Sequence, residues 1–142
     1  MLFTYFSIEI DSGHFTHLPW DYFFGCKKLE YISMTFNRIT KLPELDPETL
    51  KHLGMRNNSI RACGSLCATK LEKVAKITLD ANQLESIDLR HISSYFPKLI
   101  FLNLQQNKIT AIEDLRVTSP VSDNQDMAQS ILLALQVSDS ML

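Results

Sequence analysis

Glycine is scarce in this chain, four residues in 142. None of the four sits in a G-x-S-x-G elbow, a phosphate-binding loop or a paired-glycine fingerprint, so nucleotide cradles and that class of serine nucleophile are not expected. Neither sign of charge dominates: 14 Lys and Arg stand against 16 Asp and Glu, a formal net charge of −2. Such a balance gives no footing for nucleic-acid binding or for recruitment to an anionic membrane. No apolar run reaches the roughly 18 residues of a spanning helix, so no membrane span is expected. The apolar start, Met1 to Ile10, has no basic residue before it, carries Glu9 and is followed by no small-residue cleavage site. It is read as structure and not as a leader.

Metal-ligand and catalytic groupings are equally thin. Cys26, Cys63 and Cys67 are an odd number, which leaves at least one thiol unpaired within the chain. Cys63 and Cys67 are spaced C-x3-C, but no second Cys or His pair at matching spacing completes a zinc set. Buried thiols are the first reading and a Cys63–Cys67 disulfide the second, with Cys26 packed inside a return segment. His14 and His17 form H-x-x-H without a predicted helix or a following carboxylate motif, and are read as solvated surface. His52 and His91 stand apart from any such motif. No cofactor, no metal site and no catalytic residue is expected. Asn57-Asn58-Ser59 is an N-glycosylation sequon; its place at the edge of a strand face makes it a chance occurrence in this reading.

What the sequence does have is apolar residues, 45% of the chain, arranged in a repeat. In Leu29-Glu-Tyr-Ile-Ser-Met-Thr-Phe-Asn-Arg-Ile39 the apolar side chains fall at places one, four, six and eleven, with Asn37 at place nine. The same spacing recurs from Leu50 to Ile60 with Asn58, from Val74 to Leu84 with Asn82, and from Leu99 to Ile109 with Asn107. An eroded copy precedes them, with Tyr5, Ile8, Ile10 and Phe15, and Gly13 in place of the Asn. A further apolar place follows in several copies, at Leu18, Leu42, Ile87 and Ile112. The copies begin 21 to 25 residues apart, inside the roughly 20–29-residue period of leucine-rich repeats.

These residues closely resemble the leucine-rich-repeat pattern L-x-x-L-x-L-x-x-N-x-L over about Tyr5 to Leu115. The resemblance implies an α/β leucine-rich-repeat solenoid of about five repeats, right-handed and curved, with a short parallel sheet on its concave face. The apolar-x-apolar core of each copy puts two side chains on one face of a short strand. In such repeats the Asn amide bonds backbone groups of its own and neighbouring coils, so Asn37, Asn58, Asn82 and Asn107 are expected to stack into a structural ladder. Gly13 has no amide to offer, and the first coil is expected to be looser. Leu18 to Phe24 and Ile92 to Lys98 read as irregular or short-helical returns, with Phe96 turned inward. Ala68 to Lys73 has reasonable helix propensity, and the two prolines of Leu42 to Thr49 speak against a regular helix there.

Domain organisation follows as 1–116 for the solenoid and 117–142 for a polar linker and a short C-terminal segment. Asp123 could cap a helix there whose Met127, Ile131, Leu132 and Leu135 share one face. That face would close the end of the solenoid, dock on a partner or belong to a poorly ordered tail.

The side chains that do not enter the core form columns on the sheet, one residue per coil and about 4.8 Å apart. Tyr31, His52, Lys76 and Phe101 share the third place; Arg56, Asp80 and Gln105 the seventh; Phe36 the eighth. Aromatics flanked by Arg and Lys have the composition of interface hot spots. These eight residues are therefore the expected partner-binding set of a non-catalytic protein-protein interaction module, with a protein as partner and homo- or hetero-oligomers open. Irregular repeat lengths and the phrases Ile39-Thr-Lys-Leu-Pro43 and Leu102-Asn-Leu-Gln-Gln-Asn-Lys-Ile109 resemble extracellular insect proteins: mosquito leucine-rich-repeat immune proteins and Toll-like ectodomains. That resemblance implies secretion and innate immune recognition. An intracellular scaffold or regulatory subunit of the phosphatase-regulator type is the alternative, although such proteins have more uniform repeats.

Overall fold

The computed structural model describes residues 6–19, 23, 25–41, 45, 49–62 and 70–113. Within them run β1 (Ser7–Glu9), β2 (Tyr31–Ser33), β3 (His52–Gly54), β4 (Lys76–Thr78), β5 (Ser86–Asp88), α1 (Leu89–Tyr95), β6 (Phe101–Asn103) and β7 (Ala111–Glu113). Five of the strands form one parallel sheet in the order β1-β2-β3-β4-β6. Each of five coils contributes one three-residue strand to this sheet, and the architecture is a leucine-rich-repeat solenoid.

The register runs straight across the sheet. Ile8, Ile32, Leu53, Ile77 and Leu102 pair in one line. This is the fourth place of each copy, and from Ile32 to Leu102 the row is buried. The sixth place gives a second buried row, Met34, Met55, Leu79 and Leu104, and the first place a third, Leu29, Leu50, Val74 and Leu99. Ile39, Ile60 and Leu84 bury the eleventh place. Short strands are sufficient because each rung is covered by the coils on both sides. Each fully buried aliphatic side chain contributes about 1.5–3 kcal/mol.

The first coil departs from the pattern. Ile8 and Ile10 are only half-buried, and Phe15, expected in the core, is 41% exposed. No described coil lies beyond it to cover its ring. The ring instead lies across Gly13, where an added Cβ would collide with it. Cys26 is buried and free, and Phe23 is buried close by in sequence, in the return segment.

The returns differ more than the strands. Asp88 caps α1, its Oδ1 accepting from Arg90 N at 2.9 Å and His91 N at 3.1 Å. Leu89 and Ile92 turn one face of this helix inward, and Phe96 is buried as expected. Phe96 closes the last turn, its N–H bonding Ile92 O at 2.8 Å, and Pro97 follows. Lys70 to Lys73, the described part of the Ala68–Lys73 segment with reasonable helix propensity, are irregular and turn residues. After the Asn turn the chain forms a second, two-stranded parallel sheet, β5 with β7, pairing Ile87 with Ile112. Cys63, Cys67, Leu42 and the whole of 117–142, with its boundary and expected helix, lie outside the described residues.

Candidate partner-binding face

The open face of the sheet is held in place by what happens at its edge. The Asn58 amide donates to Met55 O (3.1 Å) and Arg56 O (3.2 Å) of its own coil and to Met34 O (2.8 Å) of the preceding one. Its Oδ1 accepts from Ile39 N at 3.0 Å. Asn82 repeats this with Leu79 O, Asp80 O, Met55 O and Ile60 N, and Asn107 with Leu104 O, Gln105 O, Leu79 O and Leu84 N. Asn37 reaches Met34 O, Thr35 O and Ile10 O, and its Oδ1 takes both Gly13 N and Phe15 N at 3.0 Å. One side chain per coil thus bonds four or five backbone groups at the bend.

The residue just before each Asn was read as one more column of the face. It is instead a left-handed turn. Ser12, Phe36, Asn57, Ala81 and Gln106 all have φ between 54° and 58°. Backbone bonds between coils fix this: Phe36 N donates to Arg56 O at 3.0 Å, Asn57 N to Asp80 O at 2.9 Å and Ala81 N to Gln105 O at 2.9 Å. No glycine occupies any of the five places, so the usual sequence signal of positive φ is missing. Phe36 is the conspicuous occupant: a bulky aromatic in a conformation that L-residues avoid, 49% exposed.

The third-place column lies as expected on adjacent strands, in register from Ser7 through Tyr31, His52 and Lys76 to Phe101. Its members pair along the row. The rings of Tyr31 and His52 are 4.7 Å apart and tilted by 57°, and the Lys76 ammonium sits 5.0 Å from the centroid of the Phe101 ring. Burial in the row and the neighbouring Lys76 charge hold the His52 imidazole below its ordinary pKa, which favours the neutral form. The fifth-place column beside it is low, made of Ser33, Gly54, Thr78 and Asn103.

In the seventh-place column Arg56 and Gln105 are exposed. Asp80 is not: expected to meet a partner, it is 7% exposed, and its carboxylate holds Arg56 Nε at 3.2 Å. Burial against the turn turns it from a contact residue into one that orients Arg56, whose guanidinium lies 6.0 Å from the Phe36 centroid. One cluster escaped the sequence reading. Asp11 Oδ1 accepts from Ser33 Oγ at 2.8 Å and from Thr35 N at 2.7 Å, tying the first coil to the second. Among the described residues no three His, Cys, Asp or Glu side chains group to hold a metal ion. Among the same residues no helix is long and apolar enough to cross a membrane.

Comparison with known proteins places this geometry in context. No family model matches the chain, and no solved structure does. Mimecan from Gallus gallus is 33% identical over 115 residues, covering 75% of this chain and 32% of mimecan; mimecan from Coturnix japonica gives the same figures. Lumican from Bos taurus is 31% identical over 88 residues, 62% of this chain and 26% of lumican. The chain therefore spans about a third of the length of the mimecans it matches. Both kinds of relative are leucine-rich-repeat proteins, and the similarity supports that assignment without extending to the mosquito immune type.

Proposed function

We propose that this leucine-rich-repeat chain is a non-catalytic binding module that takes a protein partner on the concave face of its sheet. The observation that carries the reading is the row Tyr31, His52, Lys76 and Phe101, in which two aromatic rings are each paired with a basic side chain across adjacent strands. Aromatic and cationic side chains concentrated on one rigid surface are what interface centres are made of. Arg56, oriented by Asp80 and set beside Phe36, extends the same surface towards the turn. The partner-contacting set in this reading is Tyr31, Phe36, His52, Arg56, Lys76, Phe101 and Gln105, with Asp80 as a support and the four ladder Asn residues as scaffold. Sequence similarity to mimecan and lumican, both leucine-rich-repeat proteins, agrees with an interaction role.

An extracellular setting and a part in immune recognition enter through the resemblance of the irregular repeat lengths and two short phrases to insect proteins. The compartment has its own test: an N-glycan at Asn57, an exposed residue of the sequon, in native material requires passage through the secretory pathway. Free thiols throughout and an unmodified Asn57 favour the intracellular scaffold.

Affinity capture from native fluid and from lysate tests the face. Tyr31→Ala, Arg56→Ala and Phe101→Ala are expected to lose the captured protein, and Lys98→Ala, an exposed residue in the return after α1, to keep it. Retention by all three face variants would move the site off the sheet.

A further inference from the structure

The row that carries the proposed function is not uniform in charge, and this narrows what it fits. Two of the cations near the face already have carboxylate partners. Arg56 is held by Asp80 at 3.2 Å, and Lys51 meets Glu30 at 2.9 Å. Lys76 is different: among the described residues no carboxylate lies within ion-pair distance of it, and its ammonium rests over the Phe101 ring. A ring beneath an ammonium orients it without neutralising it. His52 stands on the adjacent strand in direct register with Lys76 and is backed by Tyr31 on its other side. Strand spacing sets the two basic groups about 5 Å apart at their backbones. The neighbouring low column, Ser33, Gly54 and Thr78, leaves room for a chain to approach them.

Resting on the reading that this face binds a protein, we propose that Lys76 and His52, bracketed by Tyr31 and Phe101, form a subsite for a carboxylate side chain of the partner. The partner segment that fits is then acidic, with aromatic or apolar neighbours to lie on the two rings. A single unpaired cation between aromatics suits one carboxylate and not a polyanion. Glu9 and Asp11, exposed on the first coil of the same sheet, would repel a densely sulfated chain that ran along the face. The electrostatics around His52 agree. Tyr31 faces it from β2 and Lys76 from β4, while the Lys51–Glu30 pair flanks its strand, and burial, followed by the positive charge of Lys76, opposes its protonation. A bound carboxylate offsets that charge, so binding and protonation of His52 help one another.

The test is an NMR titration of the whole chain with Ac-Tyr-Glu-Tyr-Glu-Tyr-NH2, with its Gln counterpart, and with a chondroitin sulfate hexasaccharide. The acidic peptide is expected to shift the Lys76 and Ile77 amides and the His52 ring signals, to raise the pH at which His52 titrates, and to bind more tightly at pH 6 than at pH 8. Lys76→Gln, or the Gln peptide, should weaken binding at least fivefold; Lys76→Arg should retain it, and Lys98→Gln should leave it unchanged. Equal binding of the two peptides, full affinity in Lys76→Gln, absence of binding at millimolar peptide, or preference for the hexasaccharide would overturn the subsite. Self-association relieved by Lys76→Gln would make a second copy the occupant and overturn it too. If the subsite fails while Tyr31→Ala and Phe101→Ala still abolish capture of the native partner, the binding face stands without it.

Discussion

The first coil, an eroded copy of the pattern, and the third end in different states. In the third, Leu53, Met55 and Ile60 are buried and Asn58 is enclosed by the coil before it. In the first, Ile8 and Ile10 are half-covered and Phe15 is turned out. The first coil carries Gly13 in place of the Asn, and among the described residues it is packed from one side, whereas the third lies between two coils. In a solenoid, stability is close to a sum of intrinsic and nearest-neighbour terms, so the same truncation should cost unequal amounts. Leu53→Ala is expected to lose about 2–5 kcal/mol through a closed cavity. Ile8→Ala should lose only about 1 kcal/mol, because solvent already reaches that site. Urea unfolding of the two variants decides the matter, and equal losses would break the comparison.

The ladder sharpens it at the next scale. Asn82→Ala strands Ile60 N in the interior and takes one of two amide donors from each of Met55 O and Leu79 O, at an expected cost of about 1–3 kcal/mol. Asn107 makes the same kinds of bond in a half-buried setting, where water can replace a lost partner, so Asn107→Ala should cost less. Amide exchange gives the residue-level reading: the Ile60 amide should exchange faster in Asn82→Ala while that of Ile39, bonded to Asn58, stays protected. Wild-type stability in Asn82→Ala would mean that the ladder contributes nothing.

The same contrast explains what could be read from the sequence. The inward rows were legible because each coil solves the same burial problem with the same spacing, and Ile32, Leu53, Ile77 and Leu102 can be aligned by eye. Phe15 was misread because its spacing is right but its cover is missing, and cover is not a property of the residue. Asp80 and the Asp11–Ser33–Thr35 cluster depend on which side chains face one another across coils, which register reveals and sequence spacing alone does not. Ile87 and Ile112 were visible as an extra apolar place, though not as paired strands, since three residues carry no alternation to recognise. The left-handed turn before each Asn was invisible because Ser, Phe, Asn, Ala and Gln share no signal for it.

That turn gives a smaller prediction. Phe36 holds φ at +57°, a region where Asn and Gly are favoured over bulky side chains. Its ring recovers part of the cost beside Arg56, at the far limit of a cation–π contact. Phe36→Asn is therefore expected to stabilise the fold by about 0.5 kcal/mol, with the first and second coils still joined through Asp11, and Phe36→Val to destabilise it. Thermal midpoints in the order Asn, Phe, Val agree with strain at this turn. The reverse order would mean that the ring contributes more to stability than its exposure suggests.

The smallest effect expected is that of pH on His52. Burial, and after it the charge of Lys76, hold its pKa below the ordinary 6.5. Above that value the imidazole is neutral in both folded and unfolded chains and contributes no pH dependence. As pH falls through 6.5 the unfolded chain takes up a proton that the folded chain resists, so stability declines until the lower folded-state pKa is reached and is flat below it. The difference in stability between the wild type and His52→Gln should therefore shrink, or turn against the wild type, between pH 7 and 5. Lys76→Gln removes the charge and leaves the burial, so it should move the His52 titration only part of the way back. An NMR titration of His52 at or above 6.5 in the unliganded chain would show that the row is more open to water than its packing implies. In that case the aromatic and basic side chains on the face would be four separate surface residues instead of one preorganised surface.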